Sequence, residues 1–284
     1  MKAVIMAGGK GTRLSSVLKD IPKPMVPIAG KPLLEHQIEN LEENGIKEII
    51  LVVGHLGQVI QEHFKDGAEF GVKISYYVEK EPLGTAGALF FLKSQLRDNF
   101  ILLFGDVFVD INFKKLMKYH EEKEGIATLY VHPNSHPYDS DLVVTDNNGR
   151  VTGWLYKNLR RTEDYKNQVN AGIYIFSPRI LDRLEENKKI DLEKDIISKY
   201  LEEESIYAYC CSEYVKDIGT PERLARVESD YIKGVCRQRN LKNRQKCIFL
   251  DRDGTINKHV GFLSNPVEFC LEASVSEAIK KINQ

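Results

Sequence analysis

Cysteine is scarce in this chain, and what there is lacks a pattern. Five residues (Cys210, Cys211, Cys236, Cys247 and Cys270) include no CxxC pair, and adjacent Cys210 and Cys211 are poorly placed to bridge each other. A disulfide scaffold and a cysteine-based zinc site are therefore excluded, and an odd count without an export signal reads as reduced thiols in the cytoplasm. An excess of charge is missing too: 40 Lys and Arg stand against 41 Asp and Glu, a net charge of -1. That balance leaves no basic footprint for nucleic acid and no polybasic patch for a membrane surface. No apolar run approaches the roughly 20 residues that span a bilayer. The opening MKAVIMA is too short for a signal-peptide core and runs straight into glycines. What is present, 42% hydrophobic and 29% charged residues over 284 positions, is the composition of one large globular domain with an appendage.

Two hydrophobic periods alternate through the first hundred residues. Residues 2–6 form a short apolar run, and residues 32–41 carry Leu33, Leu34, Ile38 and Leu41 at helical spacing. Residues 46–53 (IKEIILVV) are β-branched and continuous, as in a strand buried on both faces. The pattern then predicts helix at 58–64, strand at 73–78, helix at 86–96, strand at 100–104, helix at 112–124 and strand at 126–131. Such alternation predicts an α/β fold with a mixed, mostly parallel sheet and helices on both faces. Beyond residue 131 the texture changes. Strand-like pieces at 142–145, 151–156, 171–176 and 206–209 are separated by polar turns, which reads as an elaborated second half that extends the sheet and adds strands over its edge. Pro221 suits the first turn of a closing helix over 221–232. Residues 233–245 are basic and weakly apolar and read as a linker, and residues 247–250 as the start of a new strand.

Chemistry concentrates in a few segments. Gly8-Gly9-Lys10-Gly11-Thr12-Arg13-Leu14 follows the first strand directly. Glycines let backbone N–H groups approach a ligand without a Cβ in the way, so donors at the carboxyl end of a strand make a phosphate cradle. Arg13 can fork onto phosphate oxygens. The spacing is neither GxGxxG nor GxxxxGK[ST], which excludes the dinucleotide fingerprint and the Walker loop. Further on, Ile21-Pro22-Lys23-Pro24-Met25 holds a lysine between two prolines, a stiff mount for a cation.

Together, GGKGTRL, IPKPM and the following PIAGKP resemble the sugar-1-phosphate nucleotidyltransferase family, the nucleotide-sugar pyrophosphorylases. Four further segments carry the resemblance through residues 1–232. Glu79-Lys80-Glu81-Pro82-Leu83-Gly84-Thr85-Ala86-Gly87 is similar to the base-binding loop of the GDP-sugar branch. Asp106, after Phe104-Gly105, stands where the family places a metal-binding aspartate. Asn170-Ala171-Gly172 resembles its sugar-contacting turn, and Asp217 in DIGTP its second metal aspartate. The resemblance implies a Rossmann-like nucleotide-binding half with an inserted sugar-binding half. It implies GTP and a sugar 1-phosphate as substrates, pyrophosphate and a GDP-sugar as products, and Mg²⁺ as cofactor. Ala7, Gly8, Gly9, Gly11, Thr12, Arg13, Lys23, Glu79, Pro82, Gly84, Thr85 and Ala86 are then the nucleotide-binding set. Arg13, Lys23, Asp106 and Asp217 are the catalytic set, with Asp106 and Asp217 on the metal. Lys157, Asn170, Gly172, Asp139 and Asp141 are expected to serve the sugar phosphate. A homo-oligomer is compatible with this reading and a nucleic-acid or membrane partner is not.

One departure bears on specificity. The family usually carries Glu-Lys-Pro in the sugar half, where this chain has Tyr156-Lys157-Asn158. The lysine survives and the carboxylate does not. Nearby, HPYDSDL at 136–142 offers Asp139, Ser140 and Asp141 where many relatives have a Tyr-Gly turn, which points to a sugar other than plain glucose.

A second motif follows the linker. Phe249-Leu250-Asp251-Arg252-Asp253-Gly254-Thr255-Ile256-Asn257 resembles the first motif of haloacid-dehalogenase-type phosphatases, in the histidinol-phosphate and heptose-bisphosphate branch. The resemblance implies Asp251 as nucleophile and Asp253 as general acid and base. Such a domain needs on the order of 100 residues to bury a core. No Asp follows Asp253, so the later metal-binding motif is missing, and residues 246–284 read as an incomplete piece without phosphatase activity. A heptose phosphatase motif beside a guanylyltransferase motif directs attention to D-glycero-D-manno-heptose 1-phosphate, ahead of mannose 1-phosphate and ahead of a dTTP- or UTP-dependent enzyme. A binding-only sensor would have lost Arg13, Lys23, Asp106 or Asp217, and all four are present.

Overall fold

The computed structural model describes residues 1–9, 21–158, 160–161 and 165–282. They form two compact units, Met1–Asn243 and Arg244–Gln284.

The first unit begins with β1 (Lys2–Met6), then the hairpin of β2 (Pro27–Ile28) and β3 (Lys31–Pro32), whose turn takes positive φ at Ala29 and Gly30. The helix α1 (Leu33–Glu43), β4 (Glu48–Val53), α2 (Gly57–Phe64) and β5 (Lys73–Val78) complete the first βαβ units. There follow β6 (Phe100–Phe104), β7 (Val107–Asp110), α3 (Phe113–Lys123), β8 (Ala127–His132), β9 (Leu142–Thr145), β10 (Val151–Leu155) and β11 (Val169–Phe176). A π-turn over Leu192–Ile197 runs into α4 (Ser198–Tyr200), then β12 (Ile206–Cys210), β13 (Tyr214–Asp217), α5 (Pro221–Ile232) and α6 (Val235–Arg239).

The central sheet has the order β10-β9-β11-β6-β1-β4-β5, with β8 pairing β11 and β12. β1, β4, β5 and β6 run parallel, and the chain turns antiparallel at β11. Along β1 the side chains divide between two cores: Val4 joins Val52 and Leu102 on one face, while Ala3 and Ile5 join Leu51 and Ile101 on the other. Both faces are covered, which is why these strands read as unbroken apolar runs. The fold is thus α/β and Rossmann-like, with a mixed sheet.

Two sequence expectations fail in this unit, each for a local reason. Residues 86–96 make only 3₁₀ turns, over Gly87–Leu92. The N–H groups of Thr85 and Ala86 donate to the Ile190 carbonyl at 3.0 and 3.1 Å, which ties the start of this segment to the second half of the chain. The linker at 233–245 is corrected as well. Through Asn243 it belongs to the first unit. Cys236 on α6 is 1% exposed, with its thiol pushed by burial up to about 12, and Asn240 is fully buried with its Nδ2 donating to Asp110 at 2.6 Å. Glu213 binds this segment from beneath, one carboxylate oxygen accepting from the N–H groups of Asn112 and Leu241 at 2.8 Å each.

The second unit holds few ordered elements. Residues 247–250, expected as a strand, pair with nothing among the described residues, and Phe249 and Phe262 are almost fully exposed. Bridges join Asn257 to Asp253 and to Leu271, a turn covers Pro266–Glu268, and α7 (Val275–Ile282) ends the described chain. Among the described residues no helix is long and apolar enough to cross a membrane.

Candidate active site

Three chain turns converge beyond the carboxyl ends of β1 and β6, where an open α/β sheet binds ligands. The first is Ala7-Gly8-Gly9. The second is Lys23, mounted on a 3₁₀ turn between Pro22 and Met25. The third is Gly105-Asp106, tied to the first by a bond from Gly105 N–H to the Met6 carbonyl at 2.9 Å. Glycine at 105 suits this close meeting, since a Cβ would stand 3.0 Å from that carbonyl and 3.1 Å from Pro24 Cγ. Gln37, fully buried on α1, fixes the turn from behind by donating to the carbonyls of Phe104 and Val107 at 2.9 and 2.6 Å. Asp106 is thereby held where its Oδ2 accepts from Lys23 Nζ at 2.7 Å.

The β7–β13 ribbon brings in Asp217. It pairs with Val107, and the next residue, Ile218, donates its N–H to the Asp106 carbonyl at 3.1 Å. The Asp217 carboxylate accepts from Gly219 N–H at 3.0 Å and from Arg223 Nη1 at 2.6 and 2.8 Å. Thr220 caps α5 one turn away, which sets Arg223 opposite the aspartate. Lys23, Asp106 and Asp217 all line one cavity of about 670 Å³.

Its other wall carries Glu79, Pro82, Gly84 and Thr85, from the segment expected to read the base, with Ala7, Gly8, Gly9 and Lys189. Glu79 is half-buried, and burial raises its carboxyl pKa above the ordinary range, opposed by the Leu83 N–H that it accepts at 3.2 Å. It lies against the glycine turn: a Cβ on Gly8 would come within 2.5 Å of Glu79 Oε2. Gly84, at φ +81°, presses against the Ile190 carbonyl, and Thr85 Oγ1 accepts from Leu192 N–H at 2.7 Å. These bonds lock residues 83–86 to the second half of the unit. Ala86 is not on this wall, because it is fully buried in the core behind it. The expected Gly11, Thr12 and Arg13 lie outside the described residues.

Asp217 also lines a second, larger cavity of about 1040 Å³, whose far side carries Asp139, Asp141, Lys157 and Asn170. Four of the five expected sugar residues are therefore gathered on one cavity adjoining the first. Gly172 lines neither; it turns at φ +71° against the Phe104 ring. Asp141 Oδ1 accepts the Lys157 N–H at 2.7 Å, so a carboxylate stands beside Lys157 despite the tyrosine at 156. Glu193, unforeseen from the sequence, lines the same wall. It accepts from Asn170 Nδ2 at 2.6 Å and from the Tyr174 hydroxyl at 3.2 Å, and burial raises its carboxyl pKa against the pull of those two bonds. Lys189 and Arg223 were also missed. Lys189 sits in an ordinary polar run, and only Arg223 had a sequence cue, its place three residues after the capping Thr220.

In the second unit, Asp253 is held below the usual carboxylate range by the Arg252 guanidinium, which donates to it twice at 2.9 Å. Asp251 is exposed. Among the described residues no group of three or more His, Cys, Asp or Glu side chains is placed to hold a metal.

A family model described as Nucleotidyl transferase matches residues 2–234. A mannose-1-phosphate guanylyltransferase of Mycobacterium tuberculosis is 33% identical over 237 residues, covering 82% of this chain and 65% of the relative. A UTP–glucose-1-phosphate uridylyltransferase of Synechocystis is 35% identical over 216 residues, 71% of this chain and 55% of the relative. The chain thus spans less than two thirds of the length of these curated relatives. Among solved structures, HddC from Yersinia pseudotuberculosis has a TM-score of 0.70 at 29% identity and covers 81% of this chain and 99% of that one; the same protein is also known complexed with GMP-PN.

Proposed function

Since the chain belongs to the nucleotidyl transferase family, we propose that it transfers a guanylyl group from GTP to a sugar 1-phosphate, with D-glycero-D-manno-heptose 1-phosphate as the acceptor. The observation that carries this reading is that Lys23, Asp106 and Asp217 line one cavity together, Lys23 bonded to Asp106, while Asp217 also lines the other. One cavity suits a nucleotide and the other a sugar phosphate, and Asp217 belongs to both.

An oxygen of the sugar phosphate attacks the α-phosphorus, the new P–O bond forms, and the bond to pyrophosphate breaks. The nucleophile is already an anion, so no general base is required. The obstacle is repulsion between two polyanions and the charge developing on the leaving group. Gly8 and Gly9 offer backbone donors to the phosphates, and Lys23 offers its ammonium to the α-phosphate. Lys157 holds the phosphate of the acceptor. In the free protein Lys23 is paired with Asp106, so nucleotide binding exchanges one anion on the ammonium for another and frees the Asp106 carboxylate for a cation of its own.

Asp106 and Asp217 fit a hard divalent cation. Each is about half exposed, at 45% and 47%, each presents carboxylate oxygens to the same space, and Mg²⁺ commonly takes one or two carboxylates together with substrate phosphates. Bound there, Mg²⁺ would supply positive charge to the phosphates.

Guanine is favoured by Glu79. Its N1–H and 2-amino group are adjacent donors that one carboxylate accepts together, whereas uracil and thymine set an N–H between two carbonyls. For the acceptor, the heptose reading rests on the phosphatase-like motif at Asp251 and Asp253 and on the acidic wall of Asp139, Asp141 and Glu193. Mannose 1-phosphate is the second reading, favoured by the guanylyltransferase relative of that name. The test is product identity by mass spectrometry after incubation with GTP, Mg²⁺ and each sugar 1-phosphate. GDP-heptose formed faster than GDP-mannose supports the first reading, the reverse order supports the second, and no GDP-sugar from either acceptor refutes both.

A further inference from the structure

The two walls of the sugar cavity come from different segments, and one side chain outside the cavity joins them. Residues 133–141 contribute Asp139, Ser140 and Asp141, while β10 and the residues after it contribute Trp154 and Lys157. Arg161 lines neither of the two cavities. Its Nη1 donates to the Pro137 carbonyl at 2.6 Å, and its Nη2 donates to the carbonyls of Ser140 at 2.5 Å and Leu155 at 3.0 Å. The guanidinium carbon lies 5.0 Å from the centre of the Tyr165 ring. From the other side, Asn167 exchanges two bonds with the backbone of Asn134, whose own side chain donates to Ser140 Oγ at 2.7 Å.

We infer that Arg161 is a positioning residue for the acceptor: its guanidinium clamps residues 137–140 to the end of β10 and so sets the spacing between the Asp139–Asp141 wall and Lys157. The inference rests on the proposed function of the same cavity. A loop carrying 3₁₀ and irregular backbone has no sheet ladder of its own to hold it. Charge-assisted bonds to three separate carbonyls supply that hold. The planar fork of arginine reaches carbonyls in different directions at once, while a lysine concentrates its donors on one atom. The bond from Lys157 N–H to Asp141 then keeps the phosphate-binding lysine in step with the loop.

Steady-state kinetics of the full chain test this with Arg161→Ala and Arg161→Lys, varying GTP and the sugar 1-phosphate in turn. Both variants should raise KM for the sugar 1-phosphate at least about tenfold, because small misplacements of binding groups are costly, while KM for GTP moves less than about twofold. Methylguanidinium in the buffer should lower the raised KM of Arg161→Ala and leave wild type unchanged. If Arg161→Ala does not fold, Arg161→Lys carries the test alone. An unchanged KM for the sugar 1-phosphate, or an equal rise in both KM values, would overturn the clamp. A wild-type chain inactive on every sugar 1-phosphate would overturn the functional reading and this inference with it.

Discussion

Glu79 lines the smaller cavity with its carboxylate against Gly8, where a Cβ would displace Oε2. Burial raises its carboxyl pKa, yet the guanine reading requires the ionised form. The preference for GTP over UTP should therefore be full at higher pH. It should decline as pH falls through the raised pKa, on the acid side but above the usual carboxylate range. The phosphates of the two nucleotides titrate alike and cancel in the ratio of kcat/KM. Glu79→Gln should narrow that ratio by about 1–3 kcal/mol and abolish its pH dependence; a ratio that stays wide in the variant removes Glu79 as the base reader. Residues of this kind were legible in the sequence because they sit in short contiguous motifs. Lys23 between two prolines and Asp106 after a buried strand announce themselves, and the structure bonds them to each other. Glu193 did not, because nothing nearby in sequence marks it. It reaches Asn170 and Tyr174 through the tertiary fold alone.

Elements were legible in proportion to how much of their own stability they carry. β1, β4 and β6 are buried on both faces and continuous in sequence, so they were read at nearly their true bounds. The five-residue α6 has no such pattern, and distant partners hold it: Asp110 binds Asn240, and Glu43 takes Arg237 and Lys242 at 2.9 and 3.0 Å. Glu213 is the centre of this docking. Replacing it with alanine strands two N–H groups, at the start of α3 and just after α6, and an unmet buried donor costs about 1–3 kcal/mol. Glu213→Ala should thus lower unfolding free energy by about 2–5 kcal/mol in urea, with little change in KM for GTP, whose proposed cavity it does not line. A loss below about 0.5 kcal/mol, the level of an ordinary surface change, would show that the segment is held by other contacts.

At the scale of the molecule the boundary of the first unit follows burial rather than composition. A chain ended after Ile232 loses the buried Cys236 and Asn240 and should unfold readily, whereas one ended after Asn243 should keep the proposed nucleotidyl transfer. Equal stability of the two truncations would contradict this boundary. The second unit leaves its large apolar side chains exposed, and the Arg252 pairing occupies Asp253. This 284-residue chain should therefore release no phosphate from heptose 1,7-bisphosphate. Hydrolysis abolished by Asp251→Asn would overturn that expectation.

Pyrophosphate release from GTP, UTP and dTTP, each with and without a sugar 1-phosphate and Mg²⁺, tests the central claim most directly. Release should require both the sugar phosphate and the cation and should be fastest with GTP. It should fall at least ~10²-fold in Asp106→Ala and in Lys23→Ala, as for the loss of one preorganised charge partner. Undiminished release by a folded Asp106→Ala variant, or release from UTP or dTTP as fast as from GTP, would contradict the account.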